Sequence, residues 1–157
     1  MSKESARSIS LNDLLAMREL LRNYINDLLN LTLSKQTQLS NMRASLRFIQ
    51  ALASEKPPEE AMVPLDPTAT ALLRVPVKAD SVVVYIGNQY YAEVSPDIAK
   101  GIVEEQVKRV EDDVKSIEKE IEKASRELNE LEAFINSVVS AARQATARGK
   151  EEKPSRE

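Results

Sequence analysis

Residues 81–94 read SVVVYIGNQYYAEV, a stretch that carries the signals of a β-hairpin and decides the fold. Its first half is rich in β-branched and aromatic residues, which suit a pleated, half-buried surface. We predict strands over Ser81–Ile86 and Gln89–Val94, joined by a two-residue turn at Gly87 and Asn88. Glycine tolerates the positive φ that such turns need, so the spacing favours a tight hairpin.

A second pair of strands precedes this hairpin. The runs Ala61–Leu65 and Thr70–Val75 predict a first hairpin, and Pro76 closes it at a strand end, where a missing N–H is tolerated. The sequence therefore predicts two consecutive β-hairpins over residues 61–94. Two such hairpins form too little sheet to be stable alone.

The second hairpin is apolar on both faces. Val82, Val84 and Ile86 alternate with Val83 and Tyr85, so neither face is purely polar. Either one face packs on the helix ends, or the sheet joins sheets of other chains and closes its edges. We favour the second interpretation. The residues that we expect in subunit assembly are Val82, Val83, Val84, Tyr85, Ile86, Tyr90 and Tyr91.

Long helical patterns flank the strand block. An apolar seam recurs at alternating steps of three and four from Leu11 to Ala53, with polar exceptions at positions 18, 32 and 35. A second, unbroken seam runs from Val103 to Ala145. We predict helices over residues 10–55 and 95–147 that fold back on each other as an antiparallel coiled coil.

Capping signals mark the helix ends. Ser10 with Asp13 forms a capping box at the first helix, and Pro57 begins a proline pair that stops it. A serine at Ser95, followed by proline and aspartate, begins the second helix, and we expect Gly149 to end it.

The fold class is thus α+β and mainly α: two long helices in an antiparallel coiled coil, joined by two β-hairpins. The 157 residues are expected to form one elongated unit, with a flexible N-terminus over residues 1–9 and a charged flexible tail over residues 148–157. Thirty per cent charged residues and 4% aromatic residues are typical of a long-helix protein.

Composition excludes several classes of function. The chain has neither cysteine nor histidine, which removes disulfides, thiolate metal sites and the commonest general base. Its three glycines cannot form a phosphate-binding loop, so we expect no enzyme, no cofactor and no metal. A net charge of −3 disfavours nucleic acid as a partner. No signal segment and no long apolar stretch is seen, so we expect no membrane association and a cytoplasmic location.

The positions beside the seams change character along both helices. They are polar next to the strands but become apolar towards the opposite end, at Leu15, Met17 and Tyr24 and again at Phe134 and Val139. A two-helix coil leaves such positions uncovered, and an exposed apolar patch marks an interaction site. The alternative is a third helix, or a contact with a second copy, that covers them.

The strand block also resembles that of a known family. Residues 62–65, MVPL, are similar to the start of its first strand, and residues 82–87 followed by 90–93 are similar to its second hairpin, including the glycine and the paired aromatics. Ala99 and the heptads after it resemble its second helix. Over about residues 10–145 the chain resembles the prefoldin family of archaeal and eukaryotic co-chaperones.

Two hairpins rather than one resemble the α class of prefoldin subunits. The family often has a second glycine two residues after the first, where this chain has Gln89. The resemblance implies a hexamer of two α and four β-class subunits with a double β-barrel body and six projecting coiled coils. It also implies an ATP-independent co-chaperone that captures non-native client proteins at the coil tips and delivers them to a group II chaperonin.

On this resemblance the client-binding residues at the tip are expected among Leu11, Leu14, Leu15, Met17, Tyr24, Phe134, Val138 and Val139. A charge-rich coil without cysteine suits a cytoplasmic archaeal protein. The alternative is a structural or transcription-associated coiled-coil hairpin that acts as a protein-interaction adaptor.

Overall fold

The structure, a computed structural model, describes residues 9–151 and the side chains as far as residue 147. Along the chain, one long helix precedes and one follows two β-hairpins, which confirms the predicted order of elements and the mainly α fold class. The elements are α1 (Leu11–Leu52), β1 (Glu60–Pro64), β2 (Leu72–Pro76), β3 (Val82–Gly87), β4 (Tyr90–Val94) and α2 (Pro96–Glu151). Of the predicted flexible ends, residues 1–8 and 152–157 lie outside the described residues, whereas residues 148–151, predicted as part of the flexible tail, continue α2.

Both helix starts agree with the capping signals, but both helix ends differ from the predicted ones. The backbone N–H and hydroxyl of Ser10 both bond the Asp13 carboxylate, at 2.9 and 2.7 Å, and the Asp13 N–H bonds the Ser10 hydroxyl at 3.2 Å. At the second helix the Ala99 N–H bonds the carbonyl of Ser95 at 2.9 Å. The first helix ends at Leu52, before residue 55 and before the proline pair at Pro57. The second helix continues past Gly149 to Glu151. A glycine costs a helix only about 1 kcal/mol, which is too little to end it alone.

The chain divides into two compact units. The described part of the first unit comprises residues 9–32 and 116–151, and the second unit comprises residues 33–115. Each contains one segment of α1 and one of α2, and the second also contains both hairpins.

In the second unit one face of a hairpin packs on the helices. Val84 of β3 is only 6% exposed and belongs to the same core as Leu39, Ile49, Val103 and Val107. The neighbouring strand residues Val82 and Val94 are partly buried against this core. Across the helices, Lys35 pairs with Asp113 at 2.8 Å and Arg43 with Glu111 at 2.6 Å, so the two segments run antiparallel.

The turn of the second hairpin differs from the predicted one. The two turn residues are Asn88 and Gln89, at φ 48° and 65°, rather than Gly87 and Asn88. Gly87, at φ 112°, ends β3 and lies opposite Tyr90, after a bulge that shifts the register. Two successive left-handed residues form a type I′ turn, whose twist matches that of the hairpin strands. The bulge before Gly87 shifts this turn by one residue.

The first hairpin is held mainly through its backbone. Strands β1 and β2 are antiparallel, with Met62 opposite Arg74 and Val63 opposite Leu73. The Asp66 carboxylate closes the connection by accepting bonds from Thr68, Thr70 and Ala71. Its large apolar side chains are exposed on both faces: Met62, Val63, Leu72 and Leu73. A two-stranded sheet this exposed needs further contacts to be stable.

The first unit is an antiparallel pair of helices around a seam. Leu14, Ala124 and Ile135 are buried there, while most of the remaining seam residues are half-buried. The seam contains Arg18, whose side chain is 29% exposed but whose Nε is buried without a hydrogen-bond partner in the described structure. Thr32 lies farther along the seam and donates its hydroxyl to the carbonyl of Leu28 at 2.9 Å.

Candidate protein-interaction surfaces

The two edges of the first unit differ in chemistry. Heptad spacing places the flanking residues on two sides of the seam, and one cross-helix contact identifies each side. Arg22 pairs with Glu132 at 2.6 Å on one side, and the Tyr24 hydroxyl donates to Glu120 at 3.2 Å on the other. We call the first side, Leu15, Arg22, Glu132 and Val139, the arginine edge. We call the second side, Met17, Leu20, Tyr24, Glu120, Glu127 and Phe134, the tyrosine edge.

The arginine edge is largely covered by its own contacts. Leu15 and Val139 are half-buried. They lie one heptad from Arg22 and Glu132 respectively, so the same antiparallel register places them opposite each other. An open groove of about 510 Å³ follows, lined by Leu11, Val139 and Ala142 among others.

The tyrosine edge leaves large apolar side chains in solvent. Met17 is 49% exposed, Tyr24 42% and Phe134 54%. Leu20, one helical turn from both Met17 and Tyr24, is 69% exposed. Met17, Leu20 and Tyr24 line an open groove of about 340 Å³ together with Leu21 and, from α2, Glu127.

The electrostatics of this edge are negative. Desolvation, followed by the charge of Glu120, raises the pKa of Tyr24. The Glu120 hydrogen bond and the charge of Glu127 act in the same direction. Both carboxylates therefore lie close enough to the ring to disfavour the negatively charged form of Tyr24.

The eight residues predicted at the client-binding end have different exposures. Leu11, Met17, Tyr24 and Phe134 are exposed, whereas Leu14 is 5% exposed and belongs to the seam. The remaining three residues are half-buried: Leu15, Val138 and Val139. The structure thus brings Met17 and Tyr24 together on one surface and gives Leu14 a packing role.

Sequence reasoning missed Leu20. It considered only the positions directly beside the seam, and Leu20 lies one position farther out. The signal was nevertheless present, because Met17, Leu20 and Tyr24 are spaced i, i+3 and i+7, which places three large apolar side chains on one helix face.

The second candidate surface is the outer face of the β3–β4 hairpin. Val83 and Tyr85 are exposed, and the Tyr85 ring packs edge-on against Tyr91, with centroids 5.4 Å apart. Tyr90 is exposed as well. Ile86 was predicted on the same face as Val82 and Val84, but it is exposed, because the register shifts between Tyr85 and Gly87.

An apolar groove borders this face. It has a volume of about 710 Å³ and is lined by Met42, Phe48, Pro64, Val83 and Tyr85 among others. The side-chain amide of Gln106 donates to the carbonyl of Tyr85 at 2.7 Å, which fixes the strand against α2. With the exposed first hairpin, these residues form a large apolar surface in the second unit.

A metal site needs several ligating side chains close together. Among residues 9–147, no three Asp, Glu, His or Cys side chains are grouped so that they could hold a metal ion. Within the described helices, no segment is both long and apolar enough to cross a membrane.

The fold defines a class of protein: two long helices with two small β-hairpins between them. The family model described as "Prefoldin subunit" matches residues 18–141, so the chain belongs to the prefoldin family. Prefoldins are chaperones and not enzymes.

Among curated proteins the chain is similar to the prefoldin subunit alpha of Sulfurisphaera tokodaii, with 28% identity over 99 residues. The match covers 62% of this chain and 64% of that protein. Among solved structures it is similar to a chain in the cryo-EM structure of filamentous PFD from Methanocaldococcus jannaschii. That match has a TM-score of 0.43 and 24% identity, and covers 83% of this chain and 95% of the other.

Proposed function

We propose that this chain is an α-class prefoldin subunit that captures non-native proteins on the tyrosine edge of its first unit, without ATP. The observation that supports this most is the exposure of Met17, Leu20, Tyr24 and Phe134 on one edge. Soluble proteins rarely leave such a patch uncovered unless it binds something.

Capture by such an edge is weak at each arm and stronger in an assembly. A large apolar side chain contributes about 1.5–3 kcal/mol when fully buried, and a half-exposed one contributes less on binding. Several arms in one complex raise the effective concentration for a client, which then binds through many loose contacts. Loose contacts also suit transfer of the client to a group II chaperonin.

The assembly that we propose is a hexamer with β-class subunits, two α to four β, built through the hairpins. Support comes from the exposed outer face of β3–β4 and from a first hairpin that is apolar on both faces. Such strands need partners to cover their edges. The proposed location is the cytoplasm of an archaeon.

The test is suppression of aggregation of a denatured protein by the assembled complex. Changing Met17, Leu20 and Phe134 together to Ser removes three exposed side chains that lie off the seam. Helicity by circular dichroism and the mass of the complex should be unchanged. If each side chain contributes about 0.5 kcal/mol, client affinity should fall at least about tenfold.

The matched control is Leu33→Ser, which removes an equally exposed leucine of α1 from the second unit. It should leave suppression of aggregation unchanged. Added ATP or a chelator should not change the suppression of aggregation by the wild type or by the Leu33→Ser control. Full activity of the triple variant would place client capture elsewhere, and a changed mass of the complex would show that the edge is an assembly contact.

A further inference from the structure

The tyrosine edge combines its apolar side chains with carboxylates. Glu127 lines the groove beside Met17 and Leu20, and Glu120 accepts the Tyr24 hydroxyl. Helical spacing adds Asp27, one turn from Tyr24, and Glu130, one turn from both Glu127 and Phe134. The basic residue that this spacing places among them is Lys123.

Within the described residues of the first unit these carboxylates form no ion pair, and Lys123, one helical turn from Glu120 and from Glu127, offsets only part of their charge. Among the described residues, the ion pairs of this unit include none made by Asp27, Glu120, Glu127 or Glu130. Glu120 keeps a hydrogen bond from a neutral hydroxyl, which leaves its charge in place.

The arginine edge is the opposite case. Two acidic residues on this side are paired, Glu132 with Arg22 at 2.6 Å and Glu19 with Arg22 at 3.6 Å. Glu122, farther out on α2, pairs with Arg126 at 3.2 Å. Among the described residues, the carboxylates beside the exposed apolar groove are thus unpaired, whereas three of those on the other side are paired and Glu118 there is not.

A binding partner of such a surface needs apolar side chains and positive charge. Lys and Arg provide both, because their methylene stems cover apolar surface while their charged ends reach carboxylates at the rim. A segment with Asp or Glu would place like charges beside these carboxylates. The repulsion weakens the binding of acidic segments and so gives the surface specificity.

We propose that the tyrosine edge selects, among non-native segments, those in which Lys or Arg stand beside large apolar side chains, and disfavours acidic ones. The proposal rests on the proposed function, since it names the class of client that the same surface takes. It assigns to Glu120 and Glu127 a role in specificity rather than in folding.

The test uses the full-length chain and two short fluorescent peptides with identical apolar residues, one with lysines and one with glutamates at the remaining positions. Fluorescence anisotropy at low salt should show tighter binding of the lysine peptide. In a Glu120→Gln, Glu127→Gln variant its affinity should fall about threefold to tenfold, as expected for two exposed charge contacts. Raising the salt concentration should remove the same preference.

The matched control is Glu118→Gln with Glu122→Gln, which makes the same change in net charge away from the tyrosine edge. It should keep the lysine preference. Equal binding of both peptides to the wild-type chain, with aggregation suppression intact, would overturn this inference and leave the proposed function standing.

Binding of neither peptide, together with no suppression of aggregation, would overturn both proposals. The variant with Met17, Leu20 and Phe134 changed to Ser distinguishes client binding from self-association of the chain. If it changes the sedimentation coefficient of the isolated chain in a concentration-dependent way, a second copy covers the edge and the inference is wrong.

Discussion

Arg22 and Glu132 are 110 positions apart in the sequence, yet the guanidinium nitrogen and carboxylate oxygen lie 2.6 Å apart across α1 and α2. Both side chains are partly in solvent, at 47% and 36% exposed. The pair shows which heptad of α1 faces which heptad of α2 in the first unit. Because both side chains are partly exposed, its contribution to stability is small.

We predict a small coupling energy for this pair. In a double-mutant cycle with Arg22→Ala and Glu132→Ala, the interaction term in the free energy of unfolding should be about 0.5 kcal/mol and below about 1 kcal/mol. Urea unfolding followed by circular dichroism measures it. A coupling of several kcal/mol would show a buried pair instead.

The hairpin turn gives a second prediction, since Gln89 has φ 65°. The left-handed conformation costs a residue with a Cβ about 1–2 kcal/mol, while glycine adopts it freely but raises the entropy of the unfolded chain. Gln89→Gly should therefore raise the free energy of unfolding by about 0.5–1 kcal/mol, measured by thermal unfolding. Asn88→Gly, at φ 48°, is the control and should change it less, because Asn tolerates this conformation.

Much of the fold followed from local patterns in the sequence. Seam residues such as Val103 and Val107 repeat regularly and are buried, and the capping box at Ser10 forms as its spacing predicts. These features depend on residues close together in the chain. Hydrophobic periodicity and capping chemistry are therefore sufficient to predict them.

The features that were missed depend on contacts between strands or helices. The bulge before Gly87 arises from the pairing of β3 with β4, which alternation within one strand does not reveal. The difference between half-buried Leu15 and exposed Met17 depends on what α2 places opposite each of them. Both residues have the same apolar character in the sequence, and only the partner helix distinguishes them.

Asp66 gives a pH-dependent prediction. Its bonds from the Thr68 hydroxyl and from the Ala71 and Thr70 amides lower the pKa of Asp66 from 3.8 to about 2. A carboxylate with a depressed pKa stabilises the fold above its unfolded pKa, and this contribution is lost as the pH falls through the folded pKa. Asp66→Asn should lower the unfolding midpoint at neutral pH, because an amide NH₂ cannot accept the bond from Ala71.

The difference between wild type and Asp66→Asn should shrink as the pH falls from about 4 to 2, the interval between the two pKa values. Thermal unfolding over a pH series measures it. A difference that stays constant down to pH 2 would mean that the charged form of Asp66 is not the stabilising one.

Val83 and Val84 are neighbours on β3 with opposite environments, which separates folding from assembly. Val84 is 6% exposed in the core of the second unit, and Val83 is 64% exposed on the outer face of the sheet. Val84→Asp would lose about 1.5–3 kcal/mol of apolar burial and bury an unpaired charge as well, so the isolated chain should lose stability severely. Val83→Asp should cost the isolated chain less, about 1 kcal/mol, because Asp has a low strand propensity and would lie opposite Glu93 of β4.

In the presence of partner subunits, Val83→Asp is expected to have a large effect on assembly despite its small effect on folding. If the outer face of β3–β4 is the assembly surface, Val83→Asp should prevent formation of the complex although the chain itself stays folded. Sedimentation velocity measures the complex, and circular dichroism melting of the chain alone measures the fold. Val83→Thr keeps the shape without adding charge and should assemble normally. A complex of full mass with Val83→Asp would show that this face of the sheet stays in solvent, and assembly would then depend on the exposed first hairpin, where Leu73→Asp is the corresponding change.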